Sequence, residues 1–99
     1  MNAELLKGNL DLLLLSIVGR GPAHGYAVIA ALRADSNGLF DLPEGTVYPA
    51  LHRLERNGLL GSAWATEHGR RRRIYELSSA GREALRTQQS AWQTFTAGI

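Results

Sequence analysis

The segment from Leu42 to Leu60, read together with the arginines at positions 70–73, constrains the fold more than any other feature of this chain. Glu44 suits the start of a helix, because a carboxylate in the first turn complements the exposed amides and the positive end of the dipole. Four apolar residues follow at the spacing of one buried stripe: Val47, Ala50, Leu51 and Leu54. Asn57–Gly58 is a typical helix end. We therefore predict an amphipathic helix that begins at Glu44 and ends before Asn57.

The opposite face of this predicted helix carries hydrogen-bond donors, rings and a glycine. The centre of the face is formed by Gly45, Pro49, His52 and Arg56. The flanks are formed by Thr46, Tyr48 and Arg53. Such residues suit phosphates and base edges, although an ordinary solvated helix face is the alternative. Pro49 forfeits a backbone hydrogen bond and presses on the carbonyl of Gly45, so we expect the clash to be relieved there.

A hairpin is predicted after this helix, with strands at Leu60–Thr66 and Arg72–Leu77 and a turn around residues 67–69. A hairpin that follows a helix pair is a wing. Four contiguous arginines are expected at or just past its tip: Arg70, Arg71, Arg72 and Arg73. Adjacent like charges repel unless an anion neutralises them, so we predict contact with phosphates or the minor groove of double-stranded DNA. A solvated basic loop is the alternative.

Four segments resemble the PadR family of bacterial winged-helix transcriptional regulators, in order and at fitting distances. They are His24–Tyr26, Gly45–Glu55, Asn57–Leu60 and Arg73–Leu77. The resemblance extends from about Leu6 to Phe95, with Val47 where leucine is frequent and Ser78 where threonine often opens the last helix. It implies a homodimeric DNA-binding repressor, commonly acting on its own promoter and released by a small-molecule effector. The chain resembles the short subfamily, which lacks a long extra C-terminal helical domain.

Composition agrees with this interpretation. Ninety-nine residues make one domain, and a chain this short buries a modest fraction of its surface, so a second subunit would help its core. The formal net charge is only +2, yet Lys7 is the single lysine and the arginines are clustered.

The absence of cysteine excludes disulfides and thiolate metal sites. The apolar run Leu12–Val18 is shorter than the ~20 residues of a membrane span, and the N-terminus lacks a signal-peptide pattern. We expect a cytoplasmic protein without membrane association.

The first helix, from Leu5 or Asn9 to Val18, is predicted to be apolar nearly all round. Leu12 and Leu15 project from the side opposite the main stripe, which is formed by Leu10, Leu13, Leu14 and Ile17. We infer that the second side meets another subunit. The alternative is that the terminal helix of the same chain covers it.

Gly19–Pro22 breaks this helix, and Pro22 suits the opening turn of the next one. Near its start, His24 and Tyr26 are placed either to reach phosphate or to pack and cap, and for Tyr26 we favour packing with its hydroxyl near the DNA backbone. Asp35–Leu42 is expected to form the turn before the recognition helix.

The last helix is predicted to begin with Ser78 or Ser79 as N-cap and to continue past Trp92. One side carries a stripe expected to point away from the core and form a dimer: Leu85, Gln88, Trp92 and Phe95. Twofold symmetry would space two recognition helices ~34 Å apart and demand an inverted-repeat operator. Two symmetry-related Trp92 indoles, with Phe95 nearby, would form a slot for flat aromatic molecules, and a plain interface anchor is the alternative.

The fold expected from these elements is mainly α (α+β), a winged helix-turn-helix with an N-terminal helix, a two-stranded wing and a long C-terminal dimerisation helix. Residues 1–78 would form the DNA-binding part and residues 79–99 the dimerisation helix. No catalytic set is present, and the three histidines lack metal-ligand spacing, so we expect neither an enzyme nor a metal or cofactor site. A competing hypothesis is a winged helix that docks proteins or binds small molecules without binding DNA.

Overall fold

The chain alternates helices with a small antiparallel sheet. A computed structural model describes the backbone of residues 3–98 and the side chains of residues 10–91, 97 and 98. Along this part of the chain the elements are α1 (Ala3–Val18), β1 (Ala23–His24), α2 (Gly25–Asp35), α3 (Glu44–Arg56), β2 (Leu60–Glu67), β3 (Arg70–Leu77) and α4 (Ser79–Ala97). The predicted winged helix-turn-helix architecture is confirmed.

The core surrounds α1, which packs against α2, α3, β3 and α4. Leu14 and Leu15 of α1 are 0% and 4% exposed. Leu15 corrects a prediction, because the same chain already buries it and no second subunit is needed to cover it. Leu12 stays partly exposed and so keeps surface on that side for a partner.

Helix α2 begins later than the sequence suggests. Pro22 was expected in its opening turn, but Ala23 and His24 first form β1, which pairs with Tyr75 and Ile74 of β3. The order of strands is therefore β1-β3-β2, and the predicted two-stranded wing gains a short third strand at its base. His24 then caps α2, since its Nδ1 accepts the backbone N–H of Ala27 at 3.1 Å.

The hairpin of β2 and β3 is regular from the pair Leu60 and Leu77 to the pair Glu67 and Arg70. His68 and Gly69 close it with φ values of 51° and 75°, as a two-residue turn with both residues left-handed requires. The four arginines thus begin directly past the turn, as predicted, but Arg70 and Arg71, expected before the strand, are also paired residues of β3. Tyr75, 1% exposed, anchors the base of the hairpin in the core.

Helix α4 is capped as predicted, because the Ser78 hydroxyl accepts the Gly81 N–H at 3.0 Å and donates to the Gly58 carbonyl at 2.6 Å. A Cβ at Gly81 would overlap the Leu59 carbonyl, so glycine allows α4 to approach the loop before β2. Leu85 corrects the expectation that the α4 stripe points away from the core, since it packs against the core cluster. No helix in the described part of the chain is long and apolar enough to span a membrane.

Candidate nucleic-acid interface

Helix α3 divides into a buried face and an open face, as its sequence predicts. Its four core residues are at most 1% exposed: Val47, Ala50, Leu51 and Leu54. The other face exposes the residues proposed for DNA contact: Gly45, Pro49, His52, Arg53 and Arg56. Asn57 and Gly58 end the helix as expected, with Gly58 at φ 79°. Because a Cβ at Gly45 would meet nothing within 4 Å, the backbone at the start of α3 is open to a ligand.

Tyr48 joins the start of α2 to α3. Its ring lies against Gly25, where a Cβ would overlap the phenol carbons and oxygen. Burial, reinforced by the nearby Glu44 carboxylate and Tyr26, raises the pKa of Tyr48 above its usual value. The hydroxyl therefore stays protonated at neutral pH and available as a donor. Tyr26, 59% exposed, projects beside it and does not pack in the core.

Arg53 is directed differently from its neighbours on α3. Its guanidinium forms an ion pair with the Asp11 carboxylate of α1, and both side chains are about half exposed. The structure therefore does not group Arg53 with His52 and Arg56. An exposed ion pair contributes only ~0–1 kcal/mol, so a phosphate can replace Asp11 at little cost.

The four wing arginines divide between the two faces of the hairpin, because successive side chains of a strand alternate. Arg70 and Arg72 line an open cleft of about 490 Å³ with His24, Tyr26 and the first turn of α2. Arg71 and Arg73 lie on the other face, toward α3, with guanidinium carbons 5.3 and 5.7 Å from the centre of the Trp64 ring. The four arginines thus form two pairs of cations, one pair on each face of the wing.

Glu55 links α3 to the wing. Its carboxylate accepts the Ser62 hydroxyl at 2.5 Å and lies 3.2 Å from an Arg73 guanidinium nitrogen. The Ser62 hydrogen bond, followed by Arg73, holds the pKa of Glu55 below its usual value. This carboxylate is therefore ionised and locally neutralised at physiological pH, so it fixes the distance between helix and wing without leaving an uncompensated negative charge beside the cations.

Two residues of this surface were missed as sites from the sequence, Glu55 and Trp64. Glu55 is the last residue of the motif shared with the resembled family, but its partners are distant in sequence. Trp64 was noted only as a strand residue, and period-2 alternation with the arginines was the one signal available. Together the surface offers cations, hydroxyls and aromatic rings. Among the described residues no cluster of His, Asp or Glu has the geometry of a metal site.

The predicted dimer and effector residues of α4 are only partly described. Gln88 is exposed, whereas the side chains of Trp92 and Phe95 lie outside the described residues. The slot predicted between two Trp92 indoles therefore stays a prediction.

Comparisons with known proteins converge on one family. A profile of the transcriptional regulator PadR-like family matches residues 14–87. A transcriptional regulator from Mycobacterium tuberculosis is 51% identical over 47 residues, which are 48% of this chain and 44% of that protein, so the chain matches less than half the length of this relative. A crystal structure of a PadR family regulator from Eggerthella lenta is similar with a TM-score of 0.77 and 36% identity, over 96% of this chain and 81% of that one.

A further similar structure is a crystal structure of Bacillus subtilis PadR in complex with operator DNA. Its TM-score is 0.72 over 81% of this chain and 46% of that chain. At 17% identity it shows the shared fold alone.

Proposed function

We propose that this chain, which belongs to the PadR-like family of transcriptional regulators and is not an enzyme, binds double-stranded DNA as a homodimer and represses transcription until a small molecule releases it. The observation that carries the proposal is the contiguity of the open α3 face with the arginines of the wing. A groove-sized helix beside a cationic ribbon fits the major groove and the neighbouring phosphates of one duplex.

The open face of α3 provides the base contacts in this proposal. Thr46, Tyr48, His52 and Arg56 approach the major groove, and Gly45 and Pro49 leave the backbone bare of long side chains where the helix meets DNA. Arg53 joins them by exchanging Asp11 for a phosphate. Tyr26 contacts the DNA backbone through its hydroxyl.

The wing arginines supply charge rather than sequence preference. Arg70 and Arg72 on one face, and Arg71 and Arg73 on the other, neutralise phosphates or enter the adjoining minor groove. Each phosphate neutralised should steepen the dependence of log affinity on log salt by ~0.9. The B. subtilis protein of similar fold was crystallised with operator DNA, which supports DNA binding by this fold.

The dimer is proposed to form through α4, residues 79–99, with Gln88, Trp92 and Phe95 on its stripe and Leu12 of α1 beside it; Leu85, which packs in the core, contributes only its remaining surface. Residues 1–78 then form the DNA-binding part. Twofold symmetry requires an inverted-repeat operator with half-sites ~34 Å apart. An effector that enters a slot between paired Trp92 indoles would alter this spacing and release the DNA.

The test is a salt titration of binding with charge-matched variants. Alanine at both Arg70 and Arg72 should weaken binding to selected and random duplexes alike and flatten the salt slope by ~1 to 2. Alanine at both Arg82 and Arg86 on α4, which removes the same charge away from the wing, is the control and should leave the slope nearly unchanged. Equal slopes for the two double variants would refute a role of the wing. Failure of the unsubstituted chain to bind any duplex in dilute buffer would favour a docking module instead.

A further inference from the structure

Trp64 stands out on the wing because the described part of the chain leaves most of its indole in solvent. The indole is 56% exposed on β2, whereas the neighbouring Tyr75 on the same sheet is 1% exposed. A large aromatic ring that stays in solvent is informative, since burying it is normally favourable. Trp64 therefore does not serve the core of this chain.

The register places Trp64 on the α3 side of the wing. Trp64 pairs directly with Arg73, and side chains two residues along share its face, which gives the set Ser62, Trp64, Arg71, Arg73 and Tyr75. The hydrogen bonds from Ser62 and Arg73 to Glu55 of α3 confirm that this face meets the helix. Trp64 thus belongs to the cleft between helix and wing and not to the outer side of the hairpin.

This cleft has about 680 Å³ of open volume and a mixed lining. Tyr48, His52 and Arg56 come from α3, and Trp64 and Arg73 come from the wing. The cleft runs between the helix face assigned to the major groove and the ribbon assigned to the adjacent phosphates or minor groove. In B-DNA those two grooves are separated by one sugar-phosphate strand, so that strand must pass over the cleft when both elements are engaged.

The two stacked arginines have different roles. Arg73 is held in place by the protein, because its guanidinium binds Glu55 and its Nε is buried without a partner among the described residues, and with a side chain still 39% exposed it adds positive charge at a fixed position. Arg71 is exposed and has no acidic partner in the part of the chain that the structure describes, so its donors remain available while its plane rests on the indole. Stacking restricts the Arg71 side chain before DNA arrives, which lowers the entropic cost of a phosphate contact.

We propose that Trp64 is a DNA-contact residue whose indole packs against the deoxyribose of the strand separating the two grooves, while Arg71, held on its ring, binds the flanking phosphate. This inference rests on the proposed DNA-binding function and adds a contact that is apolar and independent of sequence. It differs from direct base recognition, since sugars are the same at every position.

Trp64→Ala should weaken binding by about tenfold, equivalent to about 1.4 kcal/mol, for a duplex selected from a random pool and for an unselected random duplex alike. Trp64→Phe, which keeps an aromatic face, should lose less. Leu39→Ala is the matched control, because Leu39 is 69% exposed on the turn between α2 and α3, away from the wing, and its loss should leave affinity unchanged. Unaltered thermal unfolding of the Trp64 variants would exclude misfolding.

Fluorescence supplies a measurement on the unsubstituted ring. The emission of Trp64 is obtained as the difference between the unsubstituted chain and Trp64→Phe, which differ by one of the two tryptophans in the sequence, and its quenching by acrylamide should fall severalfold when the selected duplex is added. If that duplex binds while affinity is insensitive to both Trp64 substitutions and quenching is unchanged, the Trp64 contact is refuted and the DNA-binding function stands. If neither the selected nor the random duplex binds in dilute buffer, both proposals fail. A Trp64→Ala loss confined to one operator sequence would also refute a sugar contact.

Discussion

Gly25→Ala tests how the start of α2 positions α3, the helix proposed to enter the major groove. Gly25 is buried at the first residue of α2, and an added Cβ would lie 2.6 and 2.8 Å from the Cζ and hydroxyl oxygen of Tyr48. Such distances are well inside van der Waals contact, so the tyrosine ring or the helix start must move.

Two opposing contributions determine how much Gly25→Ala changes the free energy of unfolding. Replacing glycine by alanine in a helix gains at most ~1 kcal/mol, and less at a first residue. Overpacking of a filled site costs ~1–3 kcal/mol. The clash should prevail, and we expect the free energy of unfolding to fall by ~1–2 kcal/mol, with a melting temperature lower by roughly 4–15 °C for a domain of this size. Displacement of Tyr48 should also weaken DNA binding.

The assay is urea unfolding at a fixed protein concentration, since association would change apparent stability. Gly45→Ala is the matched control, because the same substitution near the start of α3 meets open space and should be neutral or stabilising. It should nevertheless weaken DNA binding, where the backbone is proposed to meet the duplex. Tyr48→Ala should relieve the clash, so a double-variant cycle with Gly25→Ala should give a coupling of ~1 kcal/mol or more. Full stability of Gly25→Ala, or additivity with Tyr48→Ala, would refute this packing argument.

Three further predictions concern the cap, the linking carboxylate and base preference. His24→Ala should lower the free energy of unfolding by ~1 kcal/mol, because the Ala27 N–H loses its acceptor, whereas His24→Asn should retain most of the stability in the same urea assay. Glu55 has a lowered pKa in the folded chain, so its stabilising effect is present above the ordinary value of 4.5 and is lost as the pH falls through the lower folded value. The stability difference between the unsubstituted chain and Glu55→Gln should therefore shrink on acidification below that value, and a pH-independent difference would contradict the network. Arg56→Ala should change the preference among duplex sequences by ~1–3 kcal/mol per lost base contact, measured by competition, with little change in salt slope.

The sequence predicted α3 well because its burial pattern is local. Val47, Leu51 and Leu54 repeat with the helical period, and Asn57–Gly58 marks the end, so no tertiary information was required. The same reasoning found the hairpin to within a few residues and the cap at Ser78.

Features that depend on distant partners were not predicted. Pairing of Ala23 and His24 with β3 overrides the helix-start signal of Pro22, because a strand partner some 50 residues away supplies the hydrogen bonds. Leu15 was predicted to meet another subunit, since the sequence does not show that α4 packs against α1. The division of the arginines between two faces follows from the turn at His68–Gly69, which sets the register, and that register also brings Trp64 under Arg71.

The central claim is that two copies of the open α3 face and wing engage one duplex together. Hydroxyl-radical footprinting on a duplex selected from a random pool by the unsubstituted chain tests it most directly. Two protected half-sites related by inversion, with centres ~34 Å apart, are the predicted result. A single protected half-site, or uniform cleavage at every salt concentration, would contradict the account.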